Sequence, residues 1–568
     1  MTAVADAESA PLDLRLVPAA LTCWAVTAAG ILWPAGGAAA AAVGSVAATT
    51  AVGWWGSARG SASDRKGLGA SVLAVGLVAA AFGIAIGLRV DEVGHHAVTE
   101  RYGTIAAVVV TPTESPRALG GNRTMFRGSL VAFDGREMSG RVVVFASTTR
   151  MADLTAGTPV AFRARVGRPT RRDLSVAVLS AVGDPTYGEA SAVQRAAHGI
   201  RAGFAEAARR SLPADQAAML PALVLGDTSG VPRETAADFR AAGLTHLTAV
   251  SGANVTIVCG AVLLTATLIG PRAAVGLAAV ALLAFVVVVQ PSASVLRAAV
   301  MGAITLLAVL SHRRRQAIPA LSASVLMLMI GSPELAVDVG FALSVSATAA
   351  LVVVAPVWSQ RLVARGWPKP AADAISVATA AQLVTAPLVA GMAGTFSVVS
   401  VAANVAAAPV IPPITVIGTA AAALGRVWPA GADLLIRFTG PELWWLLHVA
   451  RWAADVPGSA VSVPSGLPGV MLTAAVGTTA VLMWRFRWVR LAAGAAVVCV
   501  LAWTVLSCIP GAGPETHSGA CLERVNARID RCQNENRDLT LRGNGLCVAD
   551  RADFQRMLNH AQLVAVAA

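Results

Sequence analysis

Residues 273–289 read AAVGLAAVALLAFVVVV, an apolar run without a single charged group. It is just long enough to cross the hydrocarbon core of a bilayer as one helix. The rest of the 568-residue chain is built to the same plan: 56% of it is hydrophobic and only 13% charged. Soluble domains carry about a quarter charged residues. Apolar runs also occur at 16–33, 38–55, 68–88, 244–268, 293–310, 319–331, 340–357, 374–392, 397–424, 467–484 and 491–508. The expectation is a polytopic α-helical membrane protein of about eleven to thirteen membrane segments. Glu8 and Asp13 precede the first run, where a secretory signal would carry positive charge.

The formal charge is +12, and Lys66 and Lys369 are the only lysines. Arginine-rich loops orient a multispan chain with those loops in the cytoplasm. Candidates are 57–67 (SARGSASDRKG, with Arg59, Arg65 and Lys66), 311–316 (SHRRRQ), Arg361 with Arg365 and Lys369, and Arg485 with Arg487 and Arg490. This assignment puts residues 89–185 outside the cell, on a multi-pass protein of the cytoplasmic membrane. Parity fails across 397–466 unless a segment there crosses twice, re-enters or lies flat. Within it, 430–454 mixes Trp444, Trp445 and Trp452 with Arg437, Glu442 and Arg451, a composition suited to the membrane interface.

The segment 89–185 has a different character. Runs at 104–111, 124–133, 141–147, 159–166 and 174–181 alternate apolar and polar residues, as half-buried strands do. Asp134-Gly135 is a tight-turn pair between the second and third. Five short strands suggest a small all-β, OB-like barrel inserted between helices. Arg127, Arg136, Arg141, Arg163, Arg165, Arg168, Arg171 and Arg172 make it basic. Two readings stand side by side: a capture surface for single-stranded DNA, or the ordinary solvated arginines of a β domain. Tyr102, Phe126, Phe133, Phe145 and Phe162 would have to serve both as core and as any stacking platform.

The domain plan is therefore a three-span block (1–88), the β domain (89–185), an amphipathic helical linker (186–242), a transmembrane core (243–508) and a polar tail (509–568). Cys23, Cys259 and Cys499 sit in apolar runs. Cys508, Cys521, Cys532 and Cys547 cluster near the end. No CxxC is present, so no metal site is expected. No cofactor is expected either.

Residues 223–258 read LVLGDTSGVPRETAADFRAAGLTHLTAVSGANVTIV. Leu225-Gly226-Asp227, Phe239, Gly243, His246-Leu247, Ala249-Val250-Ser251-Gly252 and Asn254-Val255 resemble the signature of the ComEC family, the membrane channels of bacterial natural transformation. Ser294, Arg297, Ala298 and Met301 resemble its next segment. Asp338, Gly340-Phe341, Leu343-Ser344 and Ala347-Thr348 resemble a third, and Asn404 with Pro409 a fourth. The resemblance covers roughly 15–508. It implies import of single-stranded DNA, an exterior OB-type domain that receives it, and partners: a DNA receptor outside and a helicase or strand-binding protein inside. The C-terminal metallo-β-lactamase-type domain of many relatives is not expected here, since none of the eight histidines forms H-x-H-x-D-H.

Polar residues in apolar segments mark a pathway by default. His246, Ser251, Asn254, Arg297, Asp338, Ser344, Thr348 and Asn404 are the candidate DNA path, with Gly226, Asp227 and Gly252 at motif turns. Arg297 has two readings, a phosphate contact or a bridge to Asp338. The bridge is favoured because a buried charge must be paired. His246 could donate to phosphate or be satisfied by a carbonyl. Asn254 and Asn404 could line a pore, but hydrogen bonds between helices are the stronger reading. Ser251, Gly252, Ser344 and Thr348 suit close packing. A channel or transporter for another solute is the alternative function. An intramembrane hydrolase using Ser251 and His246 with Asp227 or Asp338 has less support, since no GxSxG elbow, Walker loop or HExxH occurs. The chain is expected not to be an enzyme. Lipid is its surroundings, and nothing in the sequence fixes its oligomeric state.

Overall fold

The computed structural model describes residues 13–33, 35–57, 63–151, 154–266, 269–311, 316–483 and 486. The expected 491–508 span, the tail, Cys499, Cys508, Cys521, Cys532, Cys547 and the arginines at 313–315, 485, 487 and 490 lie outside these. Three helices open the chain: α1 (Val17–Leu32), α2 (Gly36–Ser57) and α3 (Ser63–Gly94). They lie where three spans were expected.

A β domain follows, with six strands rather than five: β1 (Ile105–Pro112), β2 (Arg117–Gly120), β3 (Arg123–Phe133), β4 (Arg136–Ser147), β5 (Val160–Gly167) and β6 (Ser175–Tyr187). Five of them close on themselves in the order β1-β5-β6-β4-β3, with β3 returning to β1. The β4–β6 pairing is parallel and the others antiparallel. Closure follows from alternation: inward positions of every strand carry Val108, Phe126, Val144, Val160, Ala164 or Leu179, all buried in one core. Asp134 and Gly135 both have positive φ, as the tight turn into β4 requires. The strand not foreseen, β2, is a four-residue hairpin arm on β3. Its own turn, Gly121-Asn122, also has positive φ at both residues.

The helices after the barrel are α4 (Ala192–Ser211), α5 (Ala214–Leu225), α6 (Arg233–Ala241), α7 (Gly252–Ala266), α8 (Pro271–Val289), α9 (Ala293–Leu310), α10 (Ala317–Gly331), α11 (Val339–Val353), α12 (Ala355–Val363), α13 (Lys369–Ala393), α14 (Ser400–Ala407), α15 (Ile411–Leu424), α16 (Pro429–Phe438), α17 (Gly440–Asp455) and α18 (Leu467–Met483). Five described helical stretches have the length and composition to cross a membrane: Val72–Arg101, Pro271–Val289, Ala293–Leu310, Val339–Val363 and Lys369–Ala393. The α14–α15 pair adds a sixth if counted as one bent span, and six shorter apolar helices accompany them. Its 53° bend falls at Pro409, which has no N–H to continue the helix.

The stretch 186–242, read as a linker, contributes to the helical core. Phe204 of α4, Leu220 and Val224 of α5 and Phe239 of α6 are buried in the same cluster as Val255, Leu282 and Ile414. The apolar run 244–268 is also corrected: 243–251 is a 3₁₀ turn and loop, and the helix starts only at Gly252.

Two short strands settle where 397–466 begins and ends. β7 (Thr395–Ser397) and β8 (Ala460–Ser462) pair antiparallel, Phe396 opposite Val461. The excursion through α14–α17 thus returns to its starting point. Of the three ways to rescue parity, this one fits a segment that re-enters or crosses twice.

Candidate functional site

Helix ends account for much of the motif. α5 stops at Gly226, whose φ of +69° suits glycine, and the N–H of Asp227 reaches back to the Pro221 carbonyl. The Asp227 carboxylate accepts from the N–H and hydroxyl of Ser229. Its other oxygen lies 3.8 Å from Arg201 of α4. Arg201 also donates to the carbonyls of Leu225 and Val288, locking the LGD turn onto the end of α8. Burial pulls the Arg201 guanidinium below its ordinary value, and Asp227 pushes it back up.

The next motif residues close α6. The Leu244 N–H bonds the Phe239 carbonyl and the Gly243 N–H the Arg240 carbonyl, with Gly243 at φ +70°. This is the Schellman arrangement, completed by contact between the two buried side chains Phe239 and Leu244. A Cβ on Gly243 would also collide with Ser400 of α14. Gly243→Ala should therefore cost about 1–2 kcal/mol from the left-handed backbone alone, read as a lower melting temperature of the detergent-purified chain.

Beyond this turn the polar residues converge. Helix α7 neighbours α9, α9 neighbours α11, α11 neighbours α13, α13 neighbours α14, and α15 returns to α7, so these elements form a ring. Ser251 donates to Asn254 Oδ1 at 3.2 Å, and buried Asn254 donates to the Leu223 carbonyl of α5 at 3.0 Å. With Leu247, Ile411, Ile414 and Thr415 they line a pocket of about 10 Å³, room for about one water. On the neighbouring α9, Arg297 Nε donates to Ser344 Oγ of α11 at 2.9 Å, and Nη1 contacts Met301 Sδ at 2.9 Å. Gly252 lies against the same guanidinium: a Cβ there would stand 2.9 Å from Nη2. Thr348 donates to the Ser344 carbonyl. On the far side, Asn404 donates to the carbonyl and hydroxyl of Ser400, and Ser400 to Gln382 of α13. Gln382 was not foreseen; a polar residue at mid-length of an apolar helix was the available signal.

The favoured bridge from Arg297 to Asp338 does not form. Asp338 caps α11, accepting from the Phe341 N–H at 2.8 Å, and its second oxygen faces Arg127 of the barrel at 3.9 Å. Being at the helix end, it stands more than a turn from Ser344, where Arg297 is held. Asn404 is corrected too: its amide bonds within α14, not directly between helices. Asn254 does bond between helices. His246 is exposed. Among the described residues, no hydrogen-bonded set joins Ser251, His246 and either aspartate, and no group of His, Cys, Asp or Glu suits a metal ion.

The basic barrel residues divide by role. Arg127 meets Glu114 and Asp338, Arg141 pairs with Glu334, and Arg172 donates to the Leu32 carbonyl. With Ser115 donating to Gln290 at 2.7 Å, these contacts seat the barrel at the end of the helical block where α11 begins. Arg168 lies over Tyr102, 5.6 Å from the ring centre. Arg136, Arg163, Arg165 and Arg171 are exposed. Phe126, Phe133 and Phe162 are core, which leaves Tyr102 and Phe145 half-buried at the surface.

Residues 223–488 match the family model described as Competence protein. The matched stretch, just under half of the chain, holds the LGD turn, the α6 end, the ring and the β7–β8 pair. Over 288 residues the chain is 27% identical to ComE operon protein 3 of Bacillus subtilis (strain 168). That alignment covers 48% of this chain and 35% of the relative, so the chain spans about a third of that protein's length. No solved structure matches the chain. The apolar helices fit a membrane protein.

Proposed function

We propose that the chain conducts single-stranded DNA across the cytoplasmic membrane. The observation that carries the reading is the stretch matched by the family model, where Arg297 of α9 meets Ser344 of α11 and Gly252 of α7 while the start of α11 meets the basic barrel. A polyanion crossing a bilayer needs polar groups along its way, and buried polar residues at a helix seam supply them. The closed strand order, with its parallel β4–β6 pair, supports an OB-type reading of the barrel, a fold suited to oligonucleotides. In this mechanism exposed arginines gather the strand by charge, and the strand then threads past the ring. A DNA receptor outside and a helicase or strand-binding protein inside would supply delivery and pull. No enzymatic step and no cofactor is proposed.

The test is entry of a labelled single-stranded oligonucleotide into liposomes carrying the full chain and an encapsulated single-strand-binding protein. Nuclease-resistant label should accumulate, and duplex of the same length should not. Accumulation equal to that of protein-free liposomes would overturn the proposal. Ser251→Ala should leave entry largely intact, which an intramembrane hydrolase using that serine would not.

A further inference from the structure

We infer that Arg297 and the first turn of α7 form a phosphodiester-binding site inside the ring, a deepening that rests on the DNA-conduction reading above. Arg297 is 4% exposed. Such a guanidinium is expected to face a carboxylate, yet none lies within 4 Å among the described residues. The nearest expected acid, Asp338, is engaged by Arg127 and by the N-terminus of its own helix. Among the described residues its hydrogen-bond partners are the Ser344 hydroxyl and the Met301 sulfur, both neutral groups. Nη2 has no hydrogen-bond acceptor among the described residues and is the atom that abuts Gly252.

Gly252 is the first residue of a 15-residue helix. The first turn of a helix leaves N–H groups without intrahelical partners and carries partial positive charge. A buried cation lacking its counterion therefore sits against a second positive element. The missing partner has the chemistry of a singly charged oxyanion, and a backbone phosphate of the strand supplies it. Glycine at 252 lets Nη2 lie directly against the helix start, since a methyl group there would collide with it. Ser344 and Met301 hold the guanidinium without neutralising it. A single cation held this way suits passage, because a conducted ion must be bound firmly enough to enter and weakly enough to leave.

The experiment is fluorescence anisotropy of a labelled oligothymidylate with the detergent-purified full chain, repeated across a series of salt concentrations. Each phosphate contact contributes about 0.7 to the slope of log affinity against log salt for a single strand. Arg297→Gln should reduce the slope by about that amount and weaken low-salt binding about ten-fold. Arg297→Lys should retain the slope. Gly252→Ala, which leaves every charge in place, should reproduce the loss and serves if the glutamine variant does not fold. A merely structural arginine would lower affinity without changing the slope. Unchanged slopes in both Arg297→Gln and Gly252→Ala, with tight binding by the parent chain, overturn this inference alone. Absence of binding by the parent chain overturns both it and the conduction reading. Thermal stabilisation by inorganic phosphate that Arg297→Gln abolishes, with slopes unchanged, identifies a free-phosphate site and overturns the assignment to nucleic acid.

Discussion

Phe341→Ala should destabilise the helical block by about 3–5 kcal/mol, the usual range for emptying a buried aromatic position. Phe341 is fully buried and meets the edge of Trp24, with ring centres 5.5 Å apart and planes at 77°. Trp24 in turn donates its indole N–H to the Ala336 carbonyl at 2.9 Å. The position thus joins α1, the 333–337 turn and the start of α11, the places against which the barrel is seated. Losing the ring leaves a cavity that α1 and α11 can fill only by moving together. The measurement is the unfolding midpoint in detergent. Phe341→Leu should recover most of the loss, because much of the volume returns. A variant as stable as the parent would show that this junction is not a stability centre.

Replacing Arg136, Arg163, Arg165 and Arg171 together by glutamine should weaken single-stranded DNA binding about a hundred-fold near 0.1 M salt and lower the salt slope by about 3. All four are exposed. Their removal therefore leaves the barrel core and the ion pairs that seat it intact. Arg163 and Arg165 project from alternate positions of β5, beside Ala107 and Ile105 of β1, so they lie on one outward face. The matched control, Arg127→Gln, should instead loosen the barrel from Asp338 and alter the slope by no more than one contact. Equal effects of the two substitutions would mean that the barrel captures the strand through its docking face.

The sequence disclosed features set by local rules. Apolar runs marked the helices, alternation marked five strands, and Asp134-Gly135 marked a turn whose backbone has the required positive φ. The hairpin arm β2 escaped because four residues carry too little alternation, although Gly121-Asn122 is a turn pair of the same kind. The start of α7 was read too early because the stretch Leu244–Val250 is apolar enough to pass for membrane helix. Its hydrophobicity instead serves the end of α6, where Leu244 packs on Phe239.

Partnerships between distant residues were the least legible. Pairing Arg297 with Asp338 followed from charge alone, and charge carries no information on register. Asp338 is spent on a helix cap and on a barrel residue more than 200 positions earlier in the chain. The division of the eight barrel arginines into docking and exposed groups depends likewise on where Glu334, Leu32 and Asp338 arrive in space. Composition cannot encode that.

The β7–β8 pair has a consequence for how such a chain tolerates change. Because Ser397 and Ala460 are neighbours, the segment between them behaves as a closed detour. Whatever number of times it enters the bilayer, the sum is even. It can lengthen, shorten or be exchanged without inverting the helices that follow. The orientation of α18 is thereby insulated from the most irregular part of the fold, and that part is free to diverge.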